Sequence, residues 1–419
     1  MIMLPHASDD ERRARAFFAQ GDFAAAEVLF RRLAQKSFKE PMAQYNHGVV
    51  LCKLDRFVEA ISCYRRTIEL NPCFTDAYIN FGICLNELNL IEQARQSFAL
   101  ARQVAPDIPV PVLNEGIAAL ALGDYAAGWK DFAARWELPA YAKFKRSFPK
   151  PYWNGEDLSG KTLFLIAEQG FGDSLQMSRY VPILSGLGAT IVIEAPPALT
   201  RLLRLMKHSP CVIRNGEEIP AFDFYCSMMD IPRVLGTTLA TIPSFGPYLF
   251  ADDTEVKAYS ALHPRKSSRR IGLCWAGRSS HENDCNRSLA FTELSPLLAM
   301  DDIEWVSLQR VVSDYDAPLL SASVVANWGK DFDDFSAAAA AMMTLDLVIT
   351  VDTAIAHLAG ALGKPVWILL PFYADWRWLT LREDSPWYPT ARLFRQKNRK
   401  DWASVIARIS SEVKMPAQS

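Results

Sequence analysis

The chain has 419 residues, 50% of them hydrophobic and 22% charged, with a formal net charge of −2. That composition describes a folded chain with room for two or three cores, and it excludes intrinsic disorder as the dominant state. The near-zero charge gives no electrostatic grip on nucleic acid or an anionic membrane, and no run approaches the roughly 18 apolar residues of a membrane span.

The opening residues, MIMLPHASDDERRARA, lack the apolar core of a signal peptide, so a cytoplasmic chain is expected. Eight cysteines (Cys52, Cys63, Cys73, Cys84, Cys211, Cys226, Cys274 and Cys285) include no Cys-x-x-Cys pair. They read as free thiols in a reducing compartment, with neither a metal site nor a redox motif expected.

From about residue 7 to 138 the sequence repeats itself. Ala26, Ala60, Ala94 and Gly128 stand 34 residues apart, and so do Gly48, Gly82 and Gly116, with Ala14 in a weaker first copy. Phe30, Tyr64, Phe98 and Phe132 keep the same step, as do Phe23, Phe57, Ile91 and Tyr125, while Pro72 and Pro106 close the second and third copies. Small residues at fixed positions let two helices approach closely, and aromatics fill the space between neighbouring hairpins. The pattern resembles the tetratricopeptide repeat, which implies four helical hairpins in an all-α solenoid. Such an array offers a concave surface for a protein or peptide partner, unless it serves only to cap its neighbour. The array's cysteines lie among apolar helix positions and read as core filler.

Residues 139–160 are rich in proline, aromatics and basic residues and read as an ordered connector. Beyond them, β-rich runs alternate with helical ones. TLFLIAEQ, ATIVIEA and FDFYCSMM predict strands of one unit at 161–255, and IGLCWAG, EWVSLQ, LDLVITV and PVWILL predict strands of another at 269–419. This alternation predicts parallel sheets with crossover helices, joined by a hinge in FADDTEVKAYSALHPRKSSRR. The fold class expected is α + α/β, with a ligand cleft between the carboxyl ends of the strands of two facing units.

Three strand ends carry candidate chemistry. After the first strand comes Glu168-Gln169-Gly170-Phe171-Gly172-Asp173. Gly170 and Gly172 permit a sharp turn and close approach to a ligand, and Asp173 is either a general base or an ordinary helix-capping aspartate. In VITVDTAIAHLAGALGKPVWILL a strand ends at Asp352-Thr353, a helix follows, and Gly363 stops it. Amides near Thr353, Ala354 and Ile355 would point out of the helix start and hold a diphosphate, with His357 on the same face; a capped helix with a polar-paired histidine is the alternative. In the loop Trp275-Ala276-Gly277-Arg278 and HENDCNRSL, Gly277 follows a strand and Arg278, His281 and Arg287 supply positive charge, for phosphate or simply for solvent. Gln309 ends the next strand in a comparable place. The aromatic run FYADWRWLTLREDSPWYPT either stacks on a base or sugar or packs in the core.

At these residues the chain resembles the heptosyltransferase-like glycosyltransferases of family 9, over roughly 161–400. More closely, the whole order resembles bacterial tetratricopeptide proteins fused to such a domain, on the phrases AEQGFGDSLQ, NRSLAF and DWRWLTLREDSPWYPT. The resemblance implies two Rossmann-like domains in the GT-B arrangement, acceptor side first and nucleotide-sugar side second. It implies inverting, metal-independent sugar transfer from a nucleotide sugar, with no further cofactor. Asp173 would be the base, Asp352, Thr353, Ala354 and His357 would grip the diphosphate, and Arg287 would neutralise the leaving group. Ala354 departs from the family's glycine. The repeats are foreign to the lipopolysaccharide enzymes, so ADP-heptose and a lipid acceptor do not carry over, and a polypeptide acceptor is the expectation. A non-catalytic repeat scaffold with a vestigial nucleotide pocket is the rival, and a nucleotide-sugar epimerase a third reading.

Overall fold

The computed structural model describes residues 8–281 and 283–414. Residue 7 of the expected repeat array, Glu282 of the charged loop and 415–419 of the expected last domain lie outside the described residues. The chain forms two compact units, Met1–Lys145 with Asp375–Thr380, and Arg146–Ala374 with Leu381–Ser419.

The first unit is a solenoid of four helical hairpins: α1 (Asp9–Ala19) with α2 (Phe23–Lys36), α3 (Pro41–Lys53) with α4 (Phe57–Leu70), α5 (Thr75–Glu87) with α6 (Ile91–Val104), and α7 (Pro109–Ala121) with α8 (Tyr125–Phe132). Each hairpin turns at a residue with left-handed backbone: Gly21 (φ +81°), Asp55 (+59°), Asn89 (+58°) and Gly123 (+84°). These four also recur every 34 residues. They are the residue types that tolerate this conformation most cheaply. The following N–H then reaches back five residues, from Asp22, Arg56, Leu90 and Asp124 to the carbonyls of Phe17, Leu51, Leu85 and Ala119, and so closes each first helix.

The repeating small residues work by contact. A Cβ on Gly48 would stand 2.8 Å from the Tyr64 ring, and one on Gly82 2.5 Å from Phe98. Phe30, Tyr64, Phe98 and Phe132 are all buried, as are Ala26, Ala60 and Ala94. The segment Asp375–Thr380 belongs to this unit through Trp376, whose ring meets Trp129 at 5.1 Å and Tyr125 at 6.3 Å.

The second unit carries two wholly parallel sheets. One holds β1 (Thr162–Ile166), β2 (Thr190–Ala195), β3 (Cys211–Arg214) and β4 (Phe224–Ser227) in the order β3-β2-β1-β4. The other holds β5 (Arg269–Cys274), β6 (Ile303–Ser307), β7 (Ala326–Asn327), β8 (Leu347–Val351), β9 (Val366–Leu370) and β10 (Ala391–Arg395) in the order β10-β9-β8-β5-β6-β7. The central strands β1 and β8 are apolar runs buried on both faces, as parallel sheets covered by helices require. Phe148 and Tyr152, from within the expected connector, pack on the first sheet with Phe164, Phe222 and Tyr225.

Three strands carry no sequence signal. β3, CVIR, is four residues exposed at both ends, β7 has only two residues, and the edge strand β10, ARLFR, is interrupted by arginines. The stretch expected as a hinge contains a helix, Asp253–Leu262, capped by the Asp252 carboxylate, which accepts from the N–H groups of Thr254 and Glu255. None of its residues is buried, and a helix without a buried stripe leaves little hydrophobic periodicity to read. Among the described residues, no helix is long and apolar enough to cross a membrane.

Candidate functional site

Both central strands deliver their carboxyl ends to a turn and a helix. After β1, Glu168 is buried and accepts a 2.5 Å hydrogen bond from the Ser227 hydroxyl at the end of β4. Gln169 takes a left-handed φ of +65°, and Gly170 caps α9 (Phe171–Met177). The Gly170 N–H donates to Asp173 Oδ2 at 2.7 Å, so one oxygen of this carboxylate folds back on the helix start and fixes its orientation.

After β8, Thr353 is the N-cap of the helix Ala354–Ala361, with extended backbone and a hydroxyl that accepts from the Ile355 N–H at 3.3 Å. Such a cap contributes about 1 kcal/mol. The same hydroxyl lies 3.3 Å from that of Thr350 and 3.8 Å from the Cys274 sulfur. The first amides of any helix lack intrahelical acceptors, and the positive end of the dipole lies here. Burial pulls the Arg395 guanidinium down to about 10, with Asp352 acting against that fall.

The two loops meet at a glycine. A Cβ on Gly172 would stand 2.7 Å from His357 Cδ2 and 3.4 Å from Nε2, so only a residue without a side chain lets α9 lie against that ring. His357 is itself buried, and its Nδ1 shares a 2.8 Å hydrogen bond with the Tyr388 hydroxyl. Gly360 makes room for the phenol, since a Cβ there would sit 2.3 Å from Tyr388 Cδ1. Behind this pair Arg179 is fully buried. It donates to the carbonyls of Gln176 (2.9 Å), Trp387 (2.7 Å) and Pro243 (3.2 Å) and to the Tyr248 hydroxyl (3.1 Å), with its guanidinium 4.7 Å from the Tyr388 ring centre. A charge buried without this many acceptors would be costly, and here it ties α9 to the segment that carries Tyr388.

The third loop is built around Arg287. Its Nε donates to Asp284 Oδ1 at 3.2 Å and its Nη1 to the carbonyl of Asp352 at 3.1 Å, which joins this loop to the helix start at Thr353. Gly277 is again a position of close approach, with a notional Cβ 2.5 Å from both Arg287 Nη2 and Asp284 Oδ1. Gly277 N–H donates to Ser288 Oγ at 2.8 Å. Gln309 is buried and its amide is fully engaged: Oε1 accepts from Ala276 N–H at 3.1 Å and from the Cys274 thiol at 3.2 Å, while Nε2 donates to the carbonyls of Ala276 and Val311 at 3.0 Å each. Gln309 thus holds the start of the Gly277 loop. Arg278 is exposed.

The structure therefore gathers Gly172 with His357, and Arg287 with Gly277 and Asp352. Asp173 follows Gly172 directly, and Thr353, Ala354 and Ile355 form the turn before His357. Gln309 supports a loop, and Arg278 stands away from the buried contacts. Of the aromatic run, Trp387 and Tyr388 are buried in the second unit and Trp376 and Trp378 in the first. Sequence reasoning passed over Arg179 and gave Tyr388 no specific partner. An arginine amid Met177, Tyr180 and Val181 is the signal that marks the former.

The fold and these strand ends describe a tetratricopeptide-like helical-repeat solenoid followed by a parallel-sheet α/β region. No family model matches the chain. It is 25% identical over 398 residues to Protein FlbA of Caulobacter vibrioides, across 88% of this chain and 66% of that protein, so it spans just under two thirds of that relative's length. Among solved structures it is similar to the second TPR domain of human RPAP3 in complex with an HSP70 peptide (19% identity, 27% of this chain and 93% of that one, TM-score 0.26). It is likewise similar to a thermophilic TPR protein from Thermus thermophilus (18% identity, 34% of this chain and 84% of that one, TM-score 0.30).

Proposed function

We propose that the α/β unit is an inverting, metal-independent glycosyltransferase with two Rossmann-like halves in the GT-B arrangement, using a nucleotide sugar as donor. The observation that carries this reading is the contact of Gly172 with His357, which sets the loop of Asp173 beside the helix that begins at Thr353. One loop offers a carboxylate; the other offers helix-start amides, a hydroxyl and an imidazole, with Arg287 tied to it through the Asp352 carbonyl.

In this reaction an acceptor oxygen attacks the anomeric carbon as the bond from that carbon to the diphosphate oxygen breaks. Asp173 accepts the hydroxyl proton, a role worth about 10²–10⁴-fold in rate. The amides of Ala354 and Ile355, Thr353, His357 and Arg287 take up the charge that develops on the departing nucleoside diphosphate. The repeat unit selects the acceptor, and its long regular surface suits a polypeptide. The test is nucleotide release from a panel of nucleotide sugars, with and without candidate acceptors. Equal background release by wild type and Asp173→Ala with every donor would overturn the assignment.

The hydrogen bond from Gly170 to Asp173 Oδ2 favours a second reading, in which Asp173 is only a helix cap and the unit is a scaffold that binds a nucleotide without turnover. Calorimetric binding of a nucleoside diphosphate without any transfer product would support it.

A further inference from the structure

Cys52 in α3 and Cys84 in α5 bring their sulfurs to 3.1 Å across the seam between the second and third hairpins. The Tyr64 hydroxyl lies 3.4 Å from the same Cys52 sulfur. Cys84 is wholly buried and Cys52 half-buried, so a small solute meets Cys52 first and Cys84 only through it. Two thiols on separate helices, already touching and with one open to solvent, have the arrangement a cross-link needs.

We propose that Cys52 and Cys84 are an oxidisable pair, forming under peroxide a disulfide that locks the second hairpin to the third. The Cys52 thiolate attacks one peroxide oxygen, the O–O bond breaks, and a sulfenic acid and hydroxide result. The Cys84 sulfur then attacks the Cys52 sulfur, its proton passes to the departing hydroxyl, and water leaves. In sum two thiols and one peroxide give one disulfide and two waters. The hydrogen bonds from Cys84 and then Tyr64 hold the Cys52 thiol below its ordinary value, against burial, whereas the bond to Cys52 and burial push Cys84 up. This polarity makes Cys52 the attacking group and Cys84 the resolving one. The cross-link closes a loop that contains all of α4, and it restricts the unfolded chain more than the folded one.

The experiment treats the full chain with a small excess of hydrogen peroxide, alkylates it under denaturing conditions, and maps peptides by mass. A Cys52–Cys84 peptide lighter than its two parts by two hydrogens, absent after dithiothreitol and absent from Cys84→Ala, is the expected result. The oxidised protein should also show slower proteolysis within residues 41–104. Full alkylation of both cysteines while the exposed Cys73 or Cys285 has reacted, or a cross-link from Cys52 to another cysteine, would overturn the proposal. The wild-type peptide map decides the matter even where a variant folds poorly.

Discussion

His357 Nδ1 and the Tyr388 hydroxyl share a buried 2.8 Å hydrogen bond that two glycines make room for. Gly172 admits the imidazole from one sheet's loop, and Gly360 admits the phenol on the helix that bears His357 itself. This bond fixes the ring plane, so whatever His357 presents toward α9 is set by Tyr388.

Tyr388→Phe removes that bond and leaves Nδ1 without this partner. Equilibrium unfolding in urea should show a loss of about 1–3 kcal/mol, the cost of a buried polar atom deprived of its partner. Nucleoside-diphosphate affinity, measured by calorimetry, should fall as well. Unchanged stability and affinity would mean that the ring is positioned by packing alone.

Gly172→Ala adds a methyl group 2.7 Å from His357 Cδ2. Overpacking of this kind costs about 1–3 kcal/mol, and the contact between the loops should open. The expected outcome is a chain with wild-type circular dichroism but at least a tenfold loss of nucleotide-sugar turnover. Ordinary turnover would separate the loops functionally.

Asp173→Asn separates the two roles of that carboxylate. Asparagine still accepts from the Gly170 N–H, so the midpoint of thermal unfolding should barely move. As a base it is useless, and turnover should drop by about 10² or more. Loss of stability with turnover intact would assign Asp173 to the helix alone.

His47 gives the repeat unit a pH dependence. Burial lowers its pKa below the ordinary 6.5, with its hydrogen bond to Glu27 working against the fall. A depressed folded pKa means that the unfolded chain binds the proton first. This contribution is therefore fully present above about pH 7 and drains away as pH falls through 6.5 and below. Urea midpoints at pH 7.5 and 5.5 should differ more in wild type than in His47→Gln, whereas parallel shifts would exclude His47 as the source.

The hairpins are legible in the sequence because every copy must solve the same local problem. A helix turns at Gly21, Asp55, Asn89 or Gly123, and an aromatic such as Tyr64 or Phe98 covers the preceding small residue. These contacts are short in sequence, so they leave a period. The central strands are legible for a related reason, since burial on both faces demands unbroken apolar runs. Strands β3, β7 and β10 escape because they are exposed at both ends, only two residues long, or interrupted by arginine, and the helix Asp253–Leu262 escapes because it buries no face.

The candidate site divides along the same line. The chain's residue types alone mark Gly170, Gly172, Asp173, Thr353 and His357, because turns and caps draw on a short menu of residues within a few positions. That Gln309 spends its amide on the Gly277 loop, that Arg179 anchors the carbonyl of Trp387, and that Tyr388 holds His357 are decided only in three dimensions. These partners lie 31 to 208 positions apart, and a hydrogen bond between distant residues leaves no spacing to read. The same holds for Cys52 and Cys84: the sequence by itself determines that they sit on helices of neighbouring repeats, and only the packing of those helices brings their sulfurs together.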